Sequence, residues 1–163
     1  MRRRALTFGR TGHIWWAGVA LEEALREAQR AFPLETGGLL LGWSTRPGSV
    51  LISRVIGPGP DAAHQPTSFT PDTAWQEAQL AQAYAQADRR LQFLGDWHTH
   101  PRGTARLSNT DRATLLRIAA HADARAPYPV MALLAGGPMW QVVVRQQISR
   151  RRPPPRLTLH VWQ

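Results

Sequence analysis

The 163-residue sequence contains no cysteine and no lysine. Without cysteine, disulfide bonds and zinc sites built from thiolates are excluded, although this absence does not distinguish a reducing compartment from an oxidising one. All 20 basic residues are arginine, so no side chain offers an ε-amine for modification. Amine modification of this chain is therefore confined to its N-terminus.

The sequence also lacks a long hydrophobic run. The longest apolar stretch near the N-terminus, Ile14 to Leu21, is too short to span a bilayer. Glu22 and Glu23 follow it directly, without the small residues of a signal-peptide cleavage site. These absences predict a cytoplasmic protein that does not use a membrane as a partner.

Positive charge is in excess, with a formal net charge of +9. Two arginine clusters, Arg2 to Arg4 and Arg150 to Arg152, could neutralise the phosphates of a nucleic acid. Both lie near the ends of the chain and lack interleaved aromatic residues that would stack on bases, so we interpret them as solvated tails and predict no nucleic-acid partner. The length predicts one domain over residues 1–163, with a basic, proline-rich spacer at residues 150–155 before the last strand.

Hydrophobic periodicity predicts a mixed α/β domain, in which a central sheet carries helices on its faces. Three helices are indicated: Leu21 to Phe32 with Pro33 as its stop, Pro71-Asp72 to about Arg89, and one that begins at Ser108 and continues to Ala124. Strands are predicted at Ile14–Trp16, Leu39–Trp43, Val50–Ile56, Leu91–His100, Val130–Ala135, Trp140–Val144 and, at a sheet edge, Arg156–Trp162. The segment from Gly57 to Thr67 is interpreted as a loop.

The most informative stretch of the chain is His98-Thr99-His100. It follows an apolar run that predicts a buried strand ended by Pro101, and side chains two residues apart in a strand leave the same face. The two imidazoles are therefore expected to point together toward one metal ion. An isolated histidine is more often a structural hydrogen-bonding residue, and this interpretation is given to the other four, His13, His64, His121 and His160.

A second motif, Ser108-Asn109-Thr110-Asp111, follows the second histidine after seven residues. Its Ser-x-x-Asp pattern predicts a capping box at the start of a helix, which places Asp111 in the first turn. Two neutral imidazoles and one carboxylate form a three-ligand set that leaves the fourth position of a zinc ion open to water, as in catalytic zinc sites. We therefore predict that His98, His100 and Asp111 bind Zn²⁺.

A hydrolytic site of this kind needs a general base, and Glu35 is the best candidate. It directly precedes Thr36-Gly37-Gly38 and an apolar run that predicts another buried strand. Its carboxylate could lie at a strand edge facing the metal and carry a proton from water to a leaving amine. Considered alone, Glu35 could equally be a solvated turn residue, and the two glycines could simply allow close strand packing.

Together, Glu35 with the Thr-Gly-Gly-Leu-Leu-Leu-Gly that follows it and His98-x-His100-x7-Ser108-x2-Asp111 resemble the signature of the JAMM (MPN-plus) metallopeptidase family. The resemblance extends over roughly residues 13–147 and fills all five signature positions. It implies a fold similar to the cytidine-deaminase type and a zinc ion on His98, His100 and Asp111. It also implies that Glu35 is the general base and that Ser108 hydrogen-bonds the oxyanion of the tetrahedral intermediate.

Members of this family typically cleave peptide or isopeptide bonds after the C-terminal glycine of ubiquitin or a ubiquitin-like protein. Pro101 and the helix entry at Phe69 to Asp72 resemble the compact prokaryotic members, which are encoded beside ubiquitin-like, activating and conjugating partners, often in antiphage defence islands. The resemblance implies those partners here. The absence of lysine then has two interpretations, a GC-rich coding bias or the loss of acceptors in an enzyme that works beside a lysine-conjugating system.

The sequence leaves three alternatives open. A sulfur-carrier processing peptidase would apply the same chemistry to a different ubiquitin-like protein, and a non-catalytic scaffold would resemble MPN-minus members, which lack ligands that are present here. A relative associated with DNA repair would fit the basic charge, but such relatives favour Asn where this chain has Thr99.

We also predict that an extended substrate C-terminus lies along a sheet edge, and that Arg102 to Leu107 forms one wall of its channel.

Overall fold

The computed structural model describes residues 12–163. In chain order its helices and strands are β1 (His13–Ala17), α1 (Gly18–Ala31), β2 (Gly37–Arg46), β3 (Ser49–Ile56), β4 (Ala63–Gln65), β5 (Ser68–Thr70), α2 (Thr73–Gln86), β6 (Gln92–Pro101), α3 (Asn109–Ala120), β7 (Val130–Gly136), β8 (Trp140–Gln146) and β9 (Thr158–Trp162). A short 3-10 turn at Ala122–Ala124 follows α3.

Seven of these strands form one mixed sheet in the order β8-β7-β6-β2-β3-β1-β9. The histidine-bearing strand β6 lies in its interior, antiparallel to β2 and parallel to β7. β1 runs parallel to both of its neighbours, β3 and β9. The last strand, β9, occupies an edge of the sheet, as predicted. A mixed sheet flanked by helices confirms the predicted α/β fold class.

α1 covers one face of the sheet through a stripe of small residues. Ala20, Ala24 and Ala28 recur every four residues and are at most 3% exposed, so this side of the helix can approach the strands closely. They pack in one cluster with the buried indoles of Trp16 and Trp97. The largest part of the core therefore lies between α1 and the sheet.

α2 and α3 lie on the opposite face of the sheet. Because the pleat turns alternate side chains to opposite sides, neighbouring residues of one strand pack on different faces. Leu41 of β2 packs with Ala83 of α2, whereas its neighbour Leu40 belongs to the core beneath α1. On β7, Met131 packs with Leu115 of α3. A cavity opens on this face between the two helices.

The segment over residues 57–67, predicted to be a loop, contains β4. This strand pairs with β5 in a separate two-stranded antiparallel hairpin around the turn residues Pro66 and Thr67. Each strand has only three residues, so hydrophobic alternation is too short to reveal it in the sequence. The hairpin borders the cavity through Thr67, Ser68 and Phe69.

Two helices end a few residues earlier than predicted. α2 ends at Gln86 and α3 ends at Ala120. After α2 the chain adopts a positive φ at Asp88 (48°), a left-handed conformation that stops a helix, and after α3 it becomes extended at His121 (φ −84°, ψ 108°). Hydrophobic periodicity carries no signal for either break in helical conformation, so the prediction from the sequence overestimated the lengths of both helices.

The arginine cluster at residues 2–4 lies outside the described residues. Arg150 to Arg152 are exposed in the connection between β8 and β9. Within the predicted spacer, Pro154 is buried and its carbonyl accepts a hydrogen bond of 3.0 Å from Arg145 Nη1, which fixes this connection to β8. Over residues 12–163, every helix is too short or too polar to cross a lipid bilayer.

Candidate metal centre

The two histidines of β6 project from the same face of the sheet, on either side of the fully buried Thr99. Their Nε2 atoms lie 3.0 Å apart, and His98 is 8% exposed. β6 is paired along both sides, by β2 and β7, so the strand that carries them is held rigidly. The structure thus brings the two imidazoles together, at the floor of the cavity on this face.

Asp111 joins them from the first turn of α3. The Oγ of Ser108 accepts a hydrogen bond of 3.1 Å from the backbone N–H of Asp111, whose Oδ2 accepts one of 2.6 Å from the N–H of Ser108. This is the capping box that the Ser-x-x-Asp pattern predicts. It directs Oδ1 to 3.2 Å from His98 Nε2 and Oδ2 to 3.6 Å from His100 Nε2.

These three side chains fit a metal ion. Their donor atoms all lie within 4.8 Å of one another, with individual separations of 3.0, 3.2 and 3.6 Å. Ligands about 2.0 Å from a tetrahedral zinc ion are about 3.3 Å apart, so little adjustment is needed. The Nδ1 of His100 donates to the carbonyl of Thr104 at 3.0 Å, so the neutral ring, the form that binds a metal, directs the lone pair of Nε2 toward the other donors.

The electrostatics of the cluster favour a carboxylate that stays ionised. Burial alone would raise the pKa of Asp111, but hydrogen bonds from His100 and His98, and one from the backbone of Ser108, outweigh it and hold the pKa well below its usual range. The hydrogen bond to Asp111 raises the pKa of His100, against the opposing effect of burial. The site therefore presents an ionised carboxylate to a cation.

The two other predicted residues, Glu35 and Ser108, line the same cavity, which has a volume of about 440 Å³. Glu35 lies two residues before β2 and is half-buried. Burial raises the pKa of its carboxyl, the two histidines lower it, and Asp111 raises it again. The structure therefore places Glu35 within the electrostatic reach of all three donors.

The glycine pair that follows Glu35 allows β2 to approach β6 closely. Gly37 is paired with His98, and a Cβ on Gly37 would lie 2.4 Å from the carbonyl oxygen of Trp97 and 2.6 Å from Cζ of Phe69. A Cβ on Gly38 would lie 1.8 Å from the carbonyl of Ile56. The close-packing interpretation of the glycines therefore holds, and this packing keeps Glu35 near the histidine strand.

Sequence reasoning did not single out Asp96, which lines the cavity two residues before His98 on the same face of β6. Burial raises the pKa of its carboxyl to about 6, although His98 and Arg117 act in the opposite direction. The sequence signal that could have identified Asp96 is its position two residues before His98, on the face of the two histidines, in an otherwise apolar strand. The floor of the cavity is therefore more acidic than the predicted ligand set alone.

The loop over residues 102–107 was expected to form one wall of the substrate channel, but none of its residues, all described by the structure, lines the cavity. The guanidinium of Arg102 lies over the ring of Phe32, 5.6 Å from its centroid. Arg106 borders a separate groove. The wall is formed instead by the hairpin residues Thr67, Ser68 and Phe69.

The four other histidines have different roles from His98 and His100. His13 Nδ1 lies 2.9 Å from His160 Nε2, and both rings stack near Trp15 at the edge of the sheet. The side chain of His121 is exposed at the end of α3. The Nδ1 of His64 lies 2.8 Å from the backbone carbonyl oxygen of Glu35, a contact that sequence reasoning gave no reason to expect.

Comparison with known proteins agrees with this architecture. A family model for prokaryotic homologs of the JAB domain matches residues 19–146. The chain is 38% identical over 126 residues to a protein of Sinorhizobium fredii named probable metalloprotease y4qB, a match that covers 77% of each. It is 26% identical over 159 residues to a CD-NTase/cGAS isopeptidase of Enterobacter hormaechei, covering 95% of this chain and 87% of that protein.

The fold is also similar to that of a Desulfitobacterium hafniense protein known from a solution structure. The TM-score is 0.65 at 21% sequence identity, and the superposition covers 92% of this chain and 93% of the other. The family match spans most of the chain and includes all five positions of the motif recognised in the sequence. The chain therefore belongs to the family of prokaryotic homologues of the JAB domain and is a metalloprotease of the JAMM type.

Proposed function

We propose that this protein is a zinc-dependent peptidase that cleaves after the C-terminal glycine of a ubiquitin-like protein, to release it from targets or to trim its precursor. The observation that carries the proposal is the convergence of three metal-donor atoms with Glu35 and Ser108 on one cavity. This convergence joins a cation site, a proton acceptor and a hydroxyl in a cleft that an extended chain can enter.

The donor set supports zinc. His98, His100 and Asp111 supply two nitrogens and one oxygen, the three-ligand composition of hydrolytic zinc sites. The same composition occurs in Fe(II) oxygenases, but the metalloprotease family of this chain favours the hydrolytic ion. Zinc bound here would polarise the scissile carbonyl and lower the pKa of water toward neutrality.

Glu35 has the position and environment of a general base. Its carboxylate borders the cavity from the chain segment before β2, outside the donor set. It would accept a proton from the attacking water and pass it to the departing amine. The side-chain oxygen of Ser108 already accepts the N–H of Asp111, so its own O–H remains free to donate to the oxyanion of the tetrahedral intermediate.

The substrate class rests on the relatives and on the hairpin beside the cavity. One relative is named as an isopeptidase of CD-NTase/cGAS enzymes, which supports an isopeptide bond and a conjugation pathway for this chain as well. Ser68 and Phe69 of β5 line the cavity, and within residues 12–163 the outer edge of β5 has no strand partner. An extended C-terminal tail could pair there, main chain to main chain, and bring its glycine to the metal.

The proposed partners are a ubiquitin-like protein, its conjugates, and the activating and conjugating enzymes of the same pathway. The relative named CD-NTase/cGAS isopeptidase supports the proposed place of this protein in antiviral defence. A sulfur-carrier protein would be the alternative substrate for the same chemistry.

The decisive experiment uses a ubiquitin-like protein encoded beside this gene and extended beyond its terminal glycine by a short peptide. Wild-type protein should cut after that glycine, as located by mass spectrometry, and a chelator should abolish cleavage until zinc is restored. Glu35→Gln should be inactive, whereas Glu77→Gln, at an exposed carboxylate on α2, is the matched control and should retain activity. Cleavage of a sulfur-carrier precursor in place of this fusion would redirect the assignment, and cleavage that persists in Glu35→Gln would refute the proposed base.

A further inference from the structure

The β4–β5 hairpin holds the backbone of Glu35 by both of its polar groups. The N–H of Glu35 donates to the carbonyl of Gln65 at 2.8 Å, and the carbonyl of Glu35 lies 2.8 Å from Nδ1 of His64. Gln65 therefore binds the main chain of Glu35 through its own backbone, and the adjacent His64 binds it through its side chain.

This anchoring matters because Glu35 has no place in the main sheet. β2 begins at Gly37, so the ladder that fixes the strands does not extend to Glu35. The two residues that start the strand are glycines, which restrict the backbone least. Thr36, which follows Glu35, is bound to Thr99 of β6, so the hairpin supplies the second anchor and holds the two backbone polar groups of Glu35 itself.

The tautomer of His64 is fixed by its hydrogen bond to the carbonyl of Glu35. A carbonyl oxygen can only accept, so Nδ1 of His64 must carry the proton and donate it. Its ring stacks on Phe69 at 6.5 Å between centroids and 14° between planes, and Phe69 in turn packs over Gly37. The half-buried imidazole is thus held in the one orientation that keeps this hydrogen bond.

We infer that His64 is a positioning residue, which acts through the main chain of Glu35 to hold its carboxylate at the metal centre. This inference rests on the proposed role of Glu35 as the general base. His64 itself touches neither the metal donors nor the reacting atoms, and its contribution is the geometry of the proton acceptor. Displacing such a group by about 1 Å can lower turnover on the order of a hundredfold.

The test compares three substitutions at His64 in the full chain, assayed on the extended ubiquitin-like protein. In Asn the amide nitrogen occupies the place of Nδ1, whereas in Gln it reaches the place of Nε2, and Leu has no donor. We expect His64→Leu and His64→Gln to lower kcat on the order of a hundredfold with little change in KM, and His64→Asn to recover most of the loss. His121→Leu, at the exposed histidine that follows α3, should behave as wild type.

Zinc content, measured by elemental analysis, provides a readout that is independent of turnover. It should be one ion per chain in all four variants, because His64 does not contact the donor set. Equal activity of His64→Asn and His64→Gln would overturn the inference, even if both were slow, since hairpin stability alone predicts no preference between them. Wild-type kcat in His64→Leu would overturn it as well.

The parallel Glu35→Gln variant separates this inference from the proposal on which it depends. If Glu35→Gln is inactive while His64→Leu is fully active, the general base stands and the positioning role is wrong. If Glu35→Gln cleaves as well as wild type, or wild-type protein cleaves no such substrate, the proposed function fails and the positioning role fails with it.

Discussion

Thr36 and Thr99 form a reciprocal pair that links the segment carrying Glu35 to the histidine strand. The N–H of Thr36 donates to Oγ1 of Thr99 at 2.9 Å, and the N–H of Thr99 donates to the carbonyl of Thr36 at 2.8 Å. Both residues are completely buried. Because Thr99 lies between the two histidines and Thr36 follows Glu35, this pair helps to fix the distance between Glu35 and the three donor residues.

Thr99→Val should destabilise the protein although it preserves the shape of the side chain. The N–H of Thr36 would lose its acceptor inside the core, which typically costs about 1–3 kcal/mol. Urea denaturation should show this loss as a lower free energy of unfolding, and Thr99→Ser, which keeps the hydroxyl, should recover most of it. A Val variant as stable as wild type would show that the hydroxyl bond contributes nothing.

Metal content should distinguish the ligands from the base. His98→Ala and Asp111→Ala each remove one of the three donors, so zinc measured after gel filtration should fall well below one ion per chain. Glu35→Gln should retain the metal, because Glu35 lies outside the donor set. A metal-free Glu35→Gln protein would require Glu35 to be counted among the ligands.

Ser108→Ala should have two separable effects. Loss of the N-cap should lower the free energy of unfolding by about 1 kcal/mol, and loss of an oxyanion donor should lower kcat by about two to three powers of ten. Asp72→Ala is the comparison variant, because Asp72 caps α2 by accepting the N–H of Trp75. If both variants lost stability equally and neither lost turnover, Ser108 would serve only as a helix cap.

The pH dependence of stability in the metal-free protein should reveal the burial of Glu35. Burial raises the pKa of Glu35 above its ordinary value of 4.5, so ionising it opposes folding. This opposition is absent below pH 4.5, where both folded and unfolded chains hold the proton, and is complete above the folded pKa. Glu35→Gln should therefore be more stable than wild type at neutral pH, with a difference that shrinks as the pH falls toward 4. A constant difference across this range would contradict the assigned shift.

Much of the architecture could be predicted because it depends on local patterns. The period-two alternation of β6 gave the common face of His98 and His100, and the Ser-x-x-Asp spacing gave the start of α3. These features span few residues, so the physics that produces them is visible in a short stretch of sequence. The fold class followed from the order of the elements.

The wall of the cavity could not be predicted, because long-range packing determines it. Arg102 lies over Phe32, which is distant in the sequence, and this contact belongs to a loop that does not line the cavity. The β4–β5 hairpin is too short to show a pattern, so its contact with Glu35 through His64 emerged only in three dimensions. The burial of Asp96 likewise depends on both neighbouring strands and not on its own sequence context.

The edge position of β9 has a consequence for how the chain acquires its structure during synthesis. Within residues 12–163, the outer side of β1 is paired by residues 158–162, which are synthesised long after β1 itself. Until those residues emerge, the nascent sheet exposes an unpaired parallel edge beside the indole of Trp15, a template for association with other chains. Nascent chains truncated before β9 should therefore depend on chaperones to remain monomeric, whereas chains that contain β9 cover this edge of β1.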